Sequence, residues 1–170
     1  MSRDAFSLRP AVPADVPAIV GLIGDLAEYE RLPNECFADA TSLHEHLFGE
    51  RRFCEVIMAE RDGAVCGFAL FFHSYSTWLT KPGLYLEDLF VKPEARALGI
   101  GRALLIRLAE IAVERGCGRM EWSVLTWNEP AIGFYRKLGA GPMDGWQVYR
   151  LAGEALEELA RAGGAPPTRG

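Results

Sequence analysis

The sequence is poor in the residues that build metal centres and disulfide frameworks. Its three histidines include no pair three or four residues apart, so no two share a helix face. Its four cysteines form no C-x-x-C pair, which disfavours a zinc knuckle and a set of disulfides. They are scattered along the chain: Cys36, Cys54, Cys66 and Cys117. We therefore predict reduced structural thiols and no metal site.

Long apolar runs and a surplus of positive charge are also absent. No run of about 18 apolar residues occurs, and no charged start precedes an apolar block, so neither a membrane span nor a secretory signal is predicted. We expect a cytoplasmic protein. Lys and Arg number 18 against 23 Asp and Glu, a formal net charge of -5. This balance disfavours nucleic-acid binding and is compatible with a small cationic substrate.

The composition supplies enough apolar material for one folded domain. Of the 170 residues, 49% are hydrophobic, and we predict a single domain over residues 1–162 with a flexible tail at 163–170. Strands are predicted at 6–9, 55–60, 65–73, 84–91, 119–125 and 146–151, and helices at 14–31, 40–48, 101–115, 128–138 and 154–162. Residues 74–83 are predicted to be a loop. The order of elements predicts an α/β fold, a mixed sheet covered by helices on both faces.

Residues 84–115 are the most informative stretch, a predicted strand followed by a glycine-containing loop and an amphipathic helix. Gly99 and Gly101 leave the backbone bare where the helix begins, so unpaired N–H groups and the positive end of the helix dipole can meet an anion. Arg96 and Arg102 add positive charge nearby. We therefore expect this loop to bind a phosphate group.

Two known phosphate-binding patterns fit this loop poorly. It lacks the Gly-Lys-Ser/Thr ending of a P-loop, which disfavours nucleoside triphosphate hydrolysis. A dinucleotide fingerprint needs Gly or Ala where Leu104 stands and a glycine directly after the strand, although Glu121, about 20 residues further on, agrees with it. A third pattern, Arg-x-x-Gly-x-Gly at residues 96–101, fits the loop as it stands.

Two adjacent carboxylates, Glu87 and Asp88, interrupt the apolar strand at 84–91. A largely buried strand avoids such groups unless they have partners or a task. Because neighbouring side chains alternate, we expect these two to point to opposite faces of the sheet. Glu87 is either a functional group or a structural partner of an arginine, and Asp88 either supports the fold or meets a dimer partner.

Several short motifs, in order, resemble those of the GNAT N-acetyltransferases. They are LYLED at 84–88, RALGIG at 96–101, WNEP at 127–130 and FY at 134–135. Within that family they resemble most the diamine acetyltransferases, which acetylate spermidine and spermine, and the related thialysine acetyltransferases. The resemblance extends from about residue 9 to residue 160. It implies the GNAT fold, acetyl-CoA as the cofactor, a small primary amine as the substrate and a homodimer, for which apolar Trp146, Val148 and Tyr149 would suit the interface.

The resemblance also implies roles for individual residues. The cofactor would be bound by backbone groups of Leu89, Phe90 and Val91, by Arg96, Ala97, Leu98, Gly99, Ile100, Gly101 and Arg102, and by Asn128, Pro130, Ala131 and Tyr135. The amine would be bound by Tyr29, Glu30, Glu87, Glu121, Trp122, Ser123 and Asp144. The family pattern is not matched throughout, because Ala97 and Leu98 replace the usual Gly-Phe and residues 31–34 replace an acidic run. The missing acids disfavour spermine as the substrate.

The implied reaction assigns a proton transfer to each of two residues. At pH 7 only about one in 2500 alkylamine molecules is uncharged, a deficit of roughly 4.6 kcal/mol, so a base must accept the proton. We predict Glu87 as this base and Tyr135 as the acid that protonates the departing thiolate. No Cys or Ser has the setting of a nucleophile, which predicts direct attack. A coenzyme A-binding module without catalysis, or an enzyme for protein amino groups, is the alternative, and Tyr135 would then be a packing aromatic.

Overall fold

The computed structural model describes residues 6–163 of the chain and contains one five-stranded sheet. The strands are β1 (Phe6–Pro10), β2 (Glu55–Arg61), β3 (Ala64–Ser76), β4 (Lys81–Val91) and β5 (Met120–Trp122). They lie in the order β1-β2-β3-β4-β5. The first four pair antiparallel, and β5 pairs parallel to β4. The predicted mixed sheet is confirmed, and it is mostly antiparallel.

The helices lie close to their predicted positions. They are α1 (Val16–Tyr29), α2 (Ala40–Phe48), α3 (Ile100–Glu114), α4 (Glu129–Lys137) and α5 (Gly153–Ala162), with single 3-10 turns at Pro13–Asp15, Pro33–Glu35 and Pro93–Ala95. Local signals explain this agreement: Asp39 caps α2 by accepting a hydrogen bond from the Ser42 N–H at 2.8 Å, and Gly116 follows α3 with a φ of 70°. None of the described helices is long and apolar enough to cross a membrane.

The chain divides into two compact units, Met1–Trp127 and Asn128–Gly170. The first unit contains the sheet and α1 to α3. On one face of the sheet, Ile19, Leu22 and Leu26 of α1 pack with Phe68 and Phe90 of the strands in a buried cluster. On the other face, α3 packs across β2, β3 and β4 and buries its apolar stripe of Ile100, Leu104, Leu105, Leu108 and Ile111. These two layers fix the position of β4, which leads directly into the glycine loop.

The predicted loop at 74–83 is wrong, because most of it continues the β3–β4 hairpin. Ser74 pairs with Gly83 and Ser76 with Lys81, which leaves a turn at residues 77–80. Ser76 supports this turn by accepting a hydrogen bond from the Leu79 N–H at 3.2 Å. The polar residues of this stretch resemble a loop, but cross-strand pairing overrides their local preference.

The second unit contains α4 and α5, and the predicted strand at 146–151 is absent from it. Residues 141–152 form no helix or strand and are exposed. A strand is stable only when its backbone groups pair with a neighbour, and none of the described residues pairs with this segment. Gly145 instead adopts a φ of 88°, which a turn tolerates. The predicted tail begins at Gly163, and residues 164–170 lie outside the described range.

Candidate active site

The sheet opens beside the second half of β4. Strand β5 pairs with β4 only between Leu84–Leu86 and Met120–Trp122, whereas β3 accompanies β4 as far as Val91. From Glu87 onwards, no strand among the described residues therefore pairs with the β5-facing edge of β4. The backbone N–H and C=O groups along this edge are available to an extended ligand, which could pair with them as an added strand would.

A β-bulge lies where this open edge begins. Leu70 of β3 pairs with Asp88 and the next residue, Phe71, pairs with Leu86, so Glu87 is the extra residue of β4. A bulge re-aims the side chain beside it and breaks the alternation of the strand. The prediction that Glu87 and Asp88 point to opposite faces was based on strict alternation, which the bulge interrupts at this point. Glu87 is exposed and Asp88 is partly buried.

Three carboxylates lie near one another at this position. Burial, followed by the charges of Glu87 and Glu30, raises the pKa of Asp88 to about 6. Burial also raises the pKa of Glu30, at the end of α1. No arginine among the described residues forms an ion pair with Glu87, so the structural alternative for that residue is not observed. The cluster is a negative region that can attract a cation.

Asp88 was not assigned to the substrate site from the sequence, yet the structure places it on the α1 side of the sheet. It pairs with Leu70, which belongs to the same buried cluster as Leu26 of α1. The signal was present in the sequence as two consecutive acids in an apolar strand. Strand alternation predicted only that Asp88 lies on the face opposite Glu87, and it did not identify which helix packs on that face.

The glycine loop has a backbone that suits an anion. Gly99 precedes α3 with a φ of 81°, and Ala97 has a φ of 64°. No side chain caps α3, so the N–H groups of its first turn are free of a side-chain acceptor. A Cβ on Gly101 would approach Leu89 no closer than 3.8 Å. The 15-residue helix α3 and this bare loop fit the diphosphate of a coenzyme A group.

Arg96 connects the glycine loop to β4 and to α1. Its Nε donates a hydrogen bond to the Val91 carbonyl at 3.0 Å. Its guanidinium carbon lies 4.9 Å from the ring centroid of Tyr29 and 5.6 Å from that of Phe90. The Tyr29 ring is in turn 6.3 Å from the Trp127 ring. The structure thus brings a predicted cofactor residue, Arg96, into contact with a predicted substrate residue, Tyr29.

The predicted residues on and after β5 have different surroundings. Trp122 pairs with Leu86 in the sheet. Ser123 shares a hydrogen bond of 2.9 Å between its Oγ and the Oη of Tyr85, which positions it beside β4. Glu121 forms an ion pair with the Arg119 Nε at 2.8 Å. Because this arginine already offsets its charge, Glu121 is less suited to an amine than Glu30 or Glu87.

The remaining predicted residues belong to the second unit. Asn128 caps α4, because its Oδ1 accepts a hydrogen bond from the Ala131 N–H at 3.3 Å, and Pro130 lies in the first turn. Tyr135 is half-buried in α4, with its ring centroid 5.5 Å from that of Phe134. Asp144 is exposed in the irregular segment before α5.

Comparisons with known proteins agree with this geometry. Residues 25–140 match the model of the Acetyltransferase (GNAT) family. A thialysine N-epsilon-acetyltransferase from Bos taurus is 38% identical over 164 residues, covering 90% of this chain and 96% of that protein. An L-ornithine N5-acetyltransferase from Arabidopsis thaliana is 32% identical and covers 89% of this chain and 86% of that protein. A V. cholerae integron cassette protein superposes with a TM-score of 0.77 at 29% identity, covering 92% of this chain and 98% of that one.

The similarity to named acetyltransferases extends over nearly the whole chain, and the protein is an N-acetyltransferase. More particularly, it belongs to the GNAT family, whose model covers more than half of the chain. The resemblance predicted from the motifs is confirmed, as is the GNAT fold. Acetyltransferases of this family use acetyl-CoA in general, and the bare backbone before α3 fits the diphosphate of that cofactor.

Proposed function

We propose that the protein transfers an acetyl group from acetyl-CoA directly to a small primary amine, a polyamine or a lysine-like amine. The open edge of β4 carries this proposal: the carboxylates of Glu87 and Asp88 lie where the edge begins, and the glycine loop follows where β4 ends. A cation and a diphosphate can therefore be bound at the two ends of this open edge. The relatives acting on thialysine and ornithine support a small amine.

In this proposal the cofactor is bound mainly by backbone groups. Leu89, Phe90 and Val91 offer N–H and C=O groups to the pantetheine arm, because no strand occupies that edge. Arg96 and the residues of the loop bind the diphosphate: Ala97, Leu98, Gly99, Ile100, Gly101 and Arg102. As the resemblance implies, the cofactor is proposed to be contacted near its sulfur by Asn128, Pro130, Ala131 and Tyr135.

The amine is proposed to bind among acidic and aromatic side chains. Glu30 and Glu87 supply negative charge, and Tyr29 supplies an aromatic wall that the contact with Arg96 fixes in place. Trp122, Ser123 and Asp144 are proposed as further contacts. Glu121 is retained as a weaker one, because Arg119 already pairs with it.

The chemistry assigns one proton transfer to each of two residues. Glu87, directly or through a water molecule, accepts a proton from the alkylammonium, whose pKa of about 10.4 keeps it charged at neutral pH. The amine nitrogen then attacks the thioester carbonyl, and the C–S bond breaks as the amide forms and the nitrogen releases its second proton to water. A backbone N–H of Leu89 or Phe90 stabilises the developing oxyanion. Tyr135 gives its proton to the departing thiolate, whose reference pKa is about 8.5.

Thiol release from acetyl-CoA, measured against polyamines, thialysine, lysine and aminoglycosides, tests this function. At least one small amine should give amine-dependent release and a monoacetylated product by mass spectrometry. Tyr135→Phe should lose roughly 100-fold or more in turnover while still binding coenzyme A. Glu87→Gln should lose activity most severely at low pH, where free amine is scarcest. Unchanged turnover in Tyr135→Phe, or a wild-type pH profile in Glu87→Gln, would remove that residue from its role.

We also propose that the protein acts as a homodimer. Its segment before α5 exposes Trp146, Val148 and Tyr149 by 69%, 90% and 88%. Side chains of this size and apolarity, close together in one segment, form a patch that a second copy would remove from water.

A further inference from the structure

Arg31 occupies a backbone position that ordinarily takes glycine. Its N–H donates to the Glu28 carbonyl at 3.1 Å, and the Leu32 N–H donates to the Ala27 carbonyl at 2.9 Å. This pairing is that of a Schellman motif at the end of α1, in which the left-handed position belongs to Arg31, with a φ of 64°. Because a Cβ is disfavoured there, an arginine at this position points to a task for its side chain.

The guanidinium of Arg31 lies over Trp127, whose ring neighbours Tyr29, the aromatic wall of the proposed amine site. Its carbon is 4.8 Å from the ring centroid of Trp127, and the Trp127 ring is 6.3 Å from that of Tyr29. Across residues 6–163, no carboxylate lies within ion-pairing distance of Arg31. By contrast, Arg9 and Arg115 each form close ion pairs with carboxylates. Arg31 is therefore held in place by a ring and keeps its charge available.

Opposite charges meet at this end of α1. Glu30, directly before Arg31, interacts with the charge of Asp88, which belongs to the negative region at the start of the open edge. Arg31 supplies a positive group beside the same aromatic wall. A ligand with an ammonium at one end and a carboxylate at the other would match both signs. A polyamine would match only the negative region, and its second ammonium would approach the positive charge of Arg31.

We propose that Arg31 binds the carboxylate of the amine substrate and thereby selects an amino acid with a terminal amine over a polyamine. This inference rests on the proposed function and adds a specificity-determining residue to it. The guanidinium offers a planar fork of N–H donors that suits a carboxylate. The Trp127 contact restricts its motion, so less conformational freedom is lost when the carboxylate binds.

Matched substrate pairs test the role of Arg31. L-lysine and L-ornithine are compared with L-lysinamide and L-ornithinamide, which keep both amines and lack the carboxylate. The wild-type enzyme should prefer the amino acids in kcat/KM by about tenfold or more, the range of one charge-assisted hydrogen bond. Arg31→Gly should abolish this preference by lowering kcat/KM for the amino acids, with the amides unchanged or improved and KM for acetyl-CoA unchanged.

Protein stability separates this role from a structural one. Because glycine suits the backbone of residue 31, Arg31→Gly should melt at the same temperature as the wild type or higher. The matched control is Arg51→Gln, which removes a guanidinium 5.1 Å from the Phe53 ring and should keep the full preference for amino acids.

Three results would overturn the inference. If the wild type acetylates the amino acids and their amides with equal kcat/KM and Arg31→Gly changes neither value, the inference fails while the proposed function stands. If Arg31→Gly lowers kcat/KM equally for each amino acid and its amide, or raises KM for acetyl-CoA instead, Arg31 does not bind the substrate carboxylate. If no amine of any kind is acetylated, the proposed function fails and this inference fails with it.

Discussion

Asp88 is a single residue whose charge the fold tolerates poorly. Burial and two neighbouring carboxylates raise its pKa from an ordinary 3.8 to about 6. A carboxyl group whose pKa is higher in the folded state favours folding at pH values below its unfolded pKa, and this contribution is lost as the pH rises through about 6. Asp88→Asn should therefore raise the free energy of unfolding at pH 8 by up to about 3 kcal/mol and change it little near pH 4.

Denaturant unfolding of the wild type and Asp88→Asn between pH 4 and pH 8 measures this difference. Asp39→Asn is the control, because the hydrogen bond from Ser42 lowers the pKa of Asp39. A carboxylate of this kind contributes its full stability above its unfolded pKa of 3.8, so the difference between Asp39→Asn and the wild type should stay nearly constant between pH 5 and pH 8. A pH-independent difference for Asp88→Asn would show that the carboxyl group of Asp88 has an ordinary pKa.

For single residues, the sequence indicated which side chains need a task, but it did not predict the backbone around them. Glu87 and Asp88 were identified as carboxylates that need a task, but the bulge at Glu87 depends on how β3 and β4 pair. The left-handed backbone of Arg31 likewise depends on how α1 ends. Local patterns cannot report either, because both follow from contacts between distant or successive elements.

The start of α3 is the element that the cofactor proposal depends on most. Gly99 has a φ of 81°, a backbone that costs about 1–2 kcal/mol for a residue with a Cβ. Gly99→Ala should shift this backbone and weaken coenzyme A binding by about tenfold, since one misdirected N–H contact to a charged group is worth roughly 1.5 kcal/mol or more. Isothermal titration with coenzyme A measures the change.

Gly116→Ala is the matched control for this element. Gly116 follows the other end of α3, has a φ of 70° and, like Gly99, has no heavy atom within 4 Å of an added Cβ. Both variants should lose similar stability, but only Gly99→Ala should lose affinity. Equal affinities would show that the start of α3 does not bind the cofactor.

Elements with local signals were predicted well from the sequence, and elements defined by pairing were not. Asp62-Gly63 forms the turn of its hairpin with φ values of 52° and 77°, and Asn128 caps α4. The strands of the β3–β4 hairpin were predicted too short, and β5 was predicted too long. Both errors arise because the length of a strand is set by how far its partner pairs with it. That mismatch between β4 and β5 creates the open edge, so the central feature of the site is one that local patterns do not encode.

At the scale of the whole molecule, the sequence predicted the fold class and family, but it assigned a strand to residues 146–151. Alternating large side chains favour a strand in this segment, yet a strand also needs a neighbour with which to pair. In a single copy of the chain the segment remains exposed. A second copy of the chain that covers this segment would explain why its large apolar side chains are exposed in one copy.

Val148 tests this explanation directly, because it is 90% exposed in one protomer. The wild type should elute as a particle of twice 18.7 kDa in light scattering, and Val148→Lys should shift it towards the monomer by placing a charge in the apolar interface. Val113→Lys is the matched control, since Val113 is a valine of α3 that is 80% exposed and should leave the dimer intact. A monomeric wild type, or a dimer that both variants leave unchanged, would show that this segment is not the interface.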